Sequence, residues 1–163
     1  MDRSDTALIE TALDAARVVD DFVRGVVGLA EGEIGGAGDV KRRWTDRVFG
    51  KWVYSERHVV HGMAGAYGHD QLRKASTASR DLLEAVAELG ASPSPLARST
   101  AAELAASVAD LPELLLAAEP GPGSPDVLRI HQRLNGAIGV LNNARSRALL
   151  AEMRGRGDAK PPP

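Results

Sequence analysis

The chain contains no cysteine. That excludes disulfides, thiolate catalysis and any zinc or iron–sulfur centre held by thiolates, while leaving the compartment open. Aromatic residues are scarce, at 4%. The core must then be built mainly from Ala, Leu and Val, which suits close-packed helices better than sheets. No apolar run approaches the roughly 18 residues that a membrane span needs. Residues 1–6 lack the basic-then-apolar order of a secretory leader. The expectation is a cytoplasmic protein with no membrane contact. A net charge of −2 gives no general case for nucleic acid. Few Ser or Thr lie near His, so nucleophilic triads have no obvious candidate. No strand-like alternation of useful length precedes a Gly-rich turn, which removes the usual phosphate loop.

What is present is helical periodicity. At 163 residues and 44% hydrophobic content the chain is sized for one domain with a real core. Residues 5–31 place Leu8/Ile9, Ala12/Leu13, Ala16, Val19, Phe22/Val23, Val26 and Leu29/Ala30 at the spacing of one helical face. A second helix is expected from an Asp39 cap, with Trp44, Val48 and Trp52 on its stripe, ending at Gly68 as a C-terminal glycine. All the aromatics except Phe22 fall on this stretch: Trp44, Phe49, Trp52, Tyr54 and Tyr67. It is therefore expected at the centre of the core. A third helix is expected from an Asp70 cap through Leu72, Leu82 and Leu89. A fourth starts at the Ser94–Pro95 cap-and-proline pair and breaks near Asp110, because Pro112 cannot continue it. A fifth follows Ser124–Pro125. The fold class is all-α, an antiparallel bundle of about five helices. Residues 1–153 form one domain, and 154–163, charged and rich in Pro and Gly, are expected to be a disordered tail.

Charge is unevenly spread. Residues 2–21 hold six acids against Arg3 and Arg17, and residues 39–57 carry Lys41, Arg42, Arg43, Arg47, Lys51 and Arg57. Two complementary helices packed side by side would explain this, as would a basic patch for an acidic partner surface.

The chemistry-bearing stretch runs from His58 to Gly68. It places His58, His61, Gly62, Gly65 and Gly68 in a helical pattern, although each interior Gly costs roughly 1 kcal/mol relative to Ala. Glycines held at that cost point to a close approach, by another backbone or by a partner. His58 and His61 share a helix face. With His131 alongside they would make a three-histidine metal set, although no Glu-x-x-His pair of the di-iron type accompanies them.

The same stretch resembles the active helix of histidine phosphotransfer (HPt) domains. The resemblance rests on His58, His61, Gly62, Ala64 and Gly68, with Leu72 following on the next helix, about 15 residues in all. It implies a helical bundle in which His58 accepts a phosphoryl group. Gly62, one turn on, would leave room for that group and for a docking receiver domain. The family's lysine position holds His61 here, so His61 would supply the nearby cation. The implied partner is a receiver domain or another signalling protein, and no cofactor is called for. The alternative is a non-catalytic helical interaction module, in one form a homodimer, whose glycines let a helix pack closely. A second stretch, His131 to Gly139 with Asn135 one turn on, faintly resembles the phosphoacceptor helix of sensor kinases. It has no acid following the histidine, and cross-bundle hydrogen bonding by Asn135 explains it as well.

Overall fold

The computed structural model describes residues 3–31, 53–120 and 124–157, with side chains except at 28–31, 53–65 and 156–157. Five helical segments follow in order: α1 (Asp5–Glu31), α2 (Val53–Ala91), α3 (Pro95–Val108), α4 (Leu111–Ala117) and α5 (Pro125–Gly157). No strand occurs among the described residues. The fold is all-α. Four of the helices are long rather than about five; α4, with 7 residues, only completes the leg begun by α3.

The legs alternate in direction. The start of α1 meets the end of α2 through Arg3 and Glu88 at 3.3 Å, and the end of α5 through Thr6 and Glu152 at 2.6 Å. α1 packs mainly along α2 and α5, while α3 packs on α2 and α5. The four legs therefore form a ring, up-down-up-down, as short connections favour.

From Val53 onward, the second and third expected helices are one. A break at Gly68 does not occur, and α2 runs through it for 39 residues. The reason is lateral. A Cβ on Gly68 would lie 2.5 Å from Cβ of Pro120, so this glycine admits the loop after α4 rather than ending a helix. Asp70, expected as a cap, instead pairs along the same helix with Lys74 at 2.8 Å. The Asp39 cap and the aromatic stripe of Trp44, Phe49, Trp52 and Tyr54 lie outside the described residues or side chains.

Elsewhere the periodicity translates directly into burial. Ile9, Leu13, Ala16, Val19, Val23 and Val26 of α1 face Leu72, Leu82 and Leu89 of α2 and Leu134 and Leu141 of α5 within one buried cluster. α3 starts at the Ser94–Pro95 pair: Ser94 is the N-cap, its Oγ accepts from the Ala97 N–H, and it also bonds the Asp5 carboxylate. Ser94→Ala should cost about 1 kcal/mol in urea unfolding, the usual worth of such a cap. The break before α4 occurs where Pro112 requires it, and the buried Ser76 hydroxyl donates to the Pro112 carbonyl at 2.9 Å. α5 continues to Gly157, so the first residues of the expected tail are helical.

Two glycines in α5 differ from Gly68. At Gly136 and Gly139 an added Cβ would meet nothing within 4 Å, and both are exposed in mid-helix. Each change to Ala should therefore stabilise the fold by up to about 1 kcal/mol, measured by chemical denaturation.

Candidate functional site

His58, His61 and Gly62 all lie on α2. Their side chains are outside the described set, so the structure fixes their register and not their surroundings. His58 and Gly62 are four residues apart in one unbroken helix, hence on the same side of it. Further along, Tyr67 is half exposed, and its hydroxyl lies 3.5 Å from where a Cβ on Gly25 of α1 would sit. His69 is exposed, and its Nε2 lies 3.9 Å from the Glu119 carboxylate. The Lys74 hydrogen bond holds the Asp70 carboxyl below its ordinary value of 3.8.

The histidine whose surroundings are defined is His131. Asp20, on α1, is 2% exposed. Its Oδ1 lies 2.9 Å from Nδ1 of His131 on α5, and its Oδ2 lies 2.7 Å from Nε of Arg24, one turn along α1. On the far side of the ring, Nε2 of His131 lies 3.2 Å from the Asn135 amide nitrogen. A carboxylate only accepts and an amide nitrogen only donates. The arrangement therefore selects the tautomer with the proton on Nδ1 and the lone pair on Nε2. The histidine side chain is 23% exposed. A cleft of about 280 Å3 opens beside it, lined by Arg17, Asp20, Asp21, Arg24, Asn135 and Ile138. The buried carboxylate is stabilised by both partners, without which its burial would be costly.

The sequence held one signal for Asp20. It occupies a position one turn after Ala16 and three residues before Val23, where the α1 stripe calls for an apolar side chain. Nothing local identified His131, 111 residues away, as its partner. The acid missing next to His131 in sequence is supplied across the bundle. The acids of α1 find partners in α5 as well: Glu10 accepts from Arg145 at 3.0 Å. The basic stretch 39–57 lies outside the described residues or side chains.

A three-histidine metal set that includes His131 competes with these bonds, since both ring nitrogens already have protein partners. Among the described residues, no group of three or more His, Asp or Glu side chains is placed to hold a metal ion.

Arg133 performs a different task, two residues along α5 and on another side of the helix. Its Nη2 donates to the carbonyls of Ala106 and Ser107, at the end of α3, and to Asp110 at 2.6 Å. A cation at a helix C-terminus satisfies free carbonyls and opposes the dipole. The hydrogen bond from Arg133 also holds the Asp110 carboxyl below 3.8. A depressed carboxyl contributes stability above its unfolded pKa and loses it as pH falls through the folded value. Arg133→Met should therefore lower the melting temperature at neutral pH, with the difference from wild type shrinking as pH drops below the ordinary aspartate range.

Among the described residues no helix is long and apolar enough to cross a membrane. Comparison with protein-family models, with curated proteins and with solved structures finds no match to this chain.

Proposed function

We propose that the chain is a signalling adaptor of the phosphotransfer kind, acting in the cytoplasm, in which His58 accepts a phosphoryl group from the aspartyl phosphate of a receiver domain. The observation that carries this reading is that α2 is helical from His58 to Gly68. The HPt-like pattern requires histidine and glycine one turn apart in a single helix of a bundle, and His58, Gly62 and Gly68 share one helix of a four-legged bundle. Leu72, which the pattern expects on the following helix, lies on the same helix here. In this reading His61 takes the place of the family's lysine. It would work as the protonated ring beside the phosphate, whose negative charge favours that form. Incubation with phosphorylated receiver domains should give acid-labile, base-stable label on wild type and little on His58→Gln. Equal labelling of the two proteins would remove His58 from the mechanism.

A second reading, a non-catalytic interaction module, is favoured by one surface feature. Leu149, Leu150 and Met153 on α5 are exposed, the last two at 53% and 69%. Leu149 continues the periodic stripe of α5 yet emerges into solvent, because the burial of that stripe ends at Ala148. Under this reading Leu150→Lys with Met153→Lys should abolish a concentration-dependent association seen by sedimentation and leave the fold intact. Receiver-dependent labelling of His58 would then be absent.

A further inference from the structure

We propose that His131 is a second phosphoryl acceptor, reacting through Nε2 with an acyl phosphate. The inference takes its donor class from the phosphotransfer reading above, but its geometry is independent of His58. A nucleophilic imidazole needs its proton fixed on one nitrogen, a counter-charge for the imidazolium formed, access to the other nitrogen, and donors for the incoming oxygens. His131 has the first two from Asp20, its side chain is 23% exposed, and the donors stand in the cleft beside it. Asp20 accepts from Nδ1 at 2.9 Å, which directs the lone pair to Nε2, and its carboxylate stands ready against the positive ring. The atom recorded at Nε2 is the amide nitrogen of Asn135, on an exposed side chain that can turn from the ring to a phosphoryl oxygen. Arg17 and Arg24 line the adjoining cleft together with Asn135 and offer donors there, Arg17 while paired with Asp14 at 3.5 Å and Arg24 with Asp20 at 2.7 Å. Asp21 lines it too and limits how much anionic charge the cleft accepts. The rest of the cleft is Asp20 itself and Ile138.

The step balances without a further reactant. The Nε2 lone pair forms the bond to phosphorus. The bond between phosphorus and the acyl oxygen breaks, and the carboxylate leaves with the electron pair. The ring becomes a phosphoimidazolium whose Nδ1–H remains on the Asp20 carboxylate. Asp20 is a positioning residue: it touches the ring and not the phosphoryl group. His69 provides an internal contrast. It is more exposed than His131, with 54% of its side chain accessible, yet among the described residues it pairs only with the exposed Glu119, at 3.9 Å.

The test exposes the full-length protein to acetyl phosphate. Phosphorus NMR reads which ring nitrogen carries the phosphate, and mass spectrometry of peptides reads which histidine. The expected result is phosphate on Nε2 of His131 and none on His69. His131→Asn keeps an amide N–H where Nδ1–H donates to Asp20, so the fold is retained, and the label at position 131 is lost. Phosphate on His131 with none on His58 upholds this inference and counts against the His58 reading. Phosphate on His58 alone does the reverse. Folded protein without phosphate on His131, or with phosphate on Nδ1 instead, overturns the inference.

Discussion

Gly68→Ala is expected to destabilise the protein by about 1–2 kcal/mol, although the same change in an open helix would stabilise it by about 1 kcal/mol. Two effects compete, and the geometry decides between them. Alanine loses less backbone entropy on entering a helix than glycine does. Against this, the new Cβ would sit 2.5 Å from Cβ and 3.1 Å from Cγ of Pro120. Carbon atoms in contact rest at roughly 3.5–4.0 Å, so about 1 Å must be found by moving α2 or the loop. A pyrrolidine ring has no rotamer into which it can swing away. Overpacking of this kind costs roughly 1–3 kcal/mol, which exceeds the gain in propensity. Pro120→Gly removes both clashing atoms, so the double variant should be less destabilised than the sum of the single changes, a coupling that a double-mutant cycle in urea measures. If Gly68→Ala instead raises stability, as is expected of Gly136→Ala, the loop is not held against α2.

Asp20→Ala should cost about 2–4 kcal/mol, the largest loss expected from any single polar change described above. The substitution removes a carboxylate that is 2% exposed and bonded to two cation-capable partners. Arg24, mostly exposed, returns to water at little cost, so its share is discounted for solvent. His131 is less fortunate: its Nδ1–H is left without an acceptor at the α1–α5 seam. Part of the loss is offset because the desolvation cost of the charge disappears with it. Asp20→Asn leaves an oxygen to accept from Nδ1 and should cost about half as much. Denaturant midpoints of the two variants check the order, and an alanine variant as stable as the asparagine one would show that the His131 bond contributes nothing.

Much of the bundle was legible because helices announce themselves locally. The α1 stripe, the Ser94–Pro95 start and the Pro112 break depend on residues within a few turns of one another, and each appears where the spacing places it. Gly68 was misread for a physical reason. A glycine that ends a helix and a glycine that admits a neighbour look the same within their own window. Only Pro120, in a loop distant in sequence, separates the two meanings. The same limit hid the pairing of Asp20 with His131, and that of Arg133 with the end of α3. Each is a contact between different helices that no single sequence window contains. The sequence did flag Asp20 weakly, as a charge on an apolar stripe. Periodicity also carries no mark of where a neighbouring helix stops covering a stripe, as at Leu149. For His58, His61 and Gly62, the residue types and their one-turn register came from the sequence, and the continuous α2 keeps that register.

The measurement that tests phosphotransfer most directly is transfer itself, followed residue by residue. A receiver domain phosphorylated on its aspartate is mixed with the full-length chain, and phosphopeptides are sequenced under basic conditions that preserve phosphohistidine. The account predicts loss of phosphate from the receiver, with matching gain on the peptide that contains His58. Receivers that keep their phosphate beside the folded protein, or a chain that gains none on His58, would contradict it.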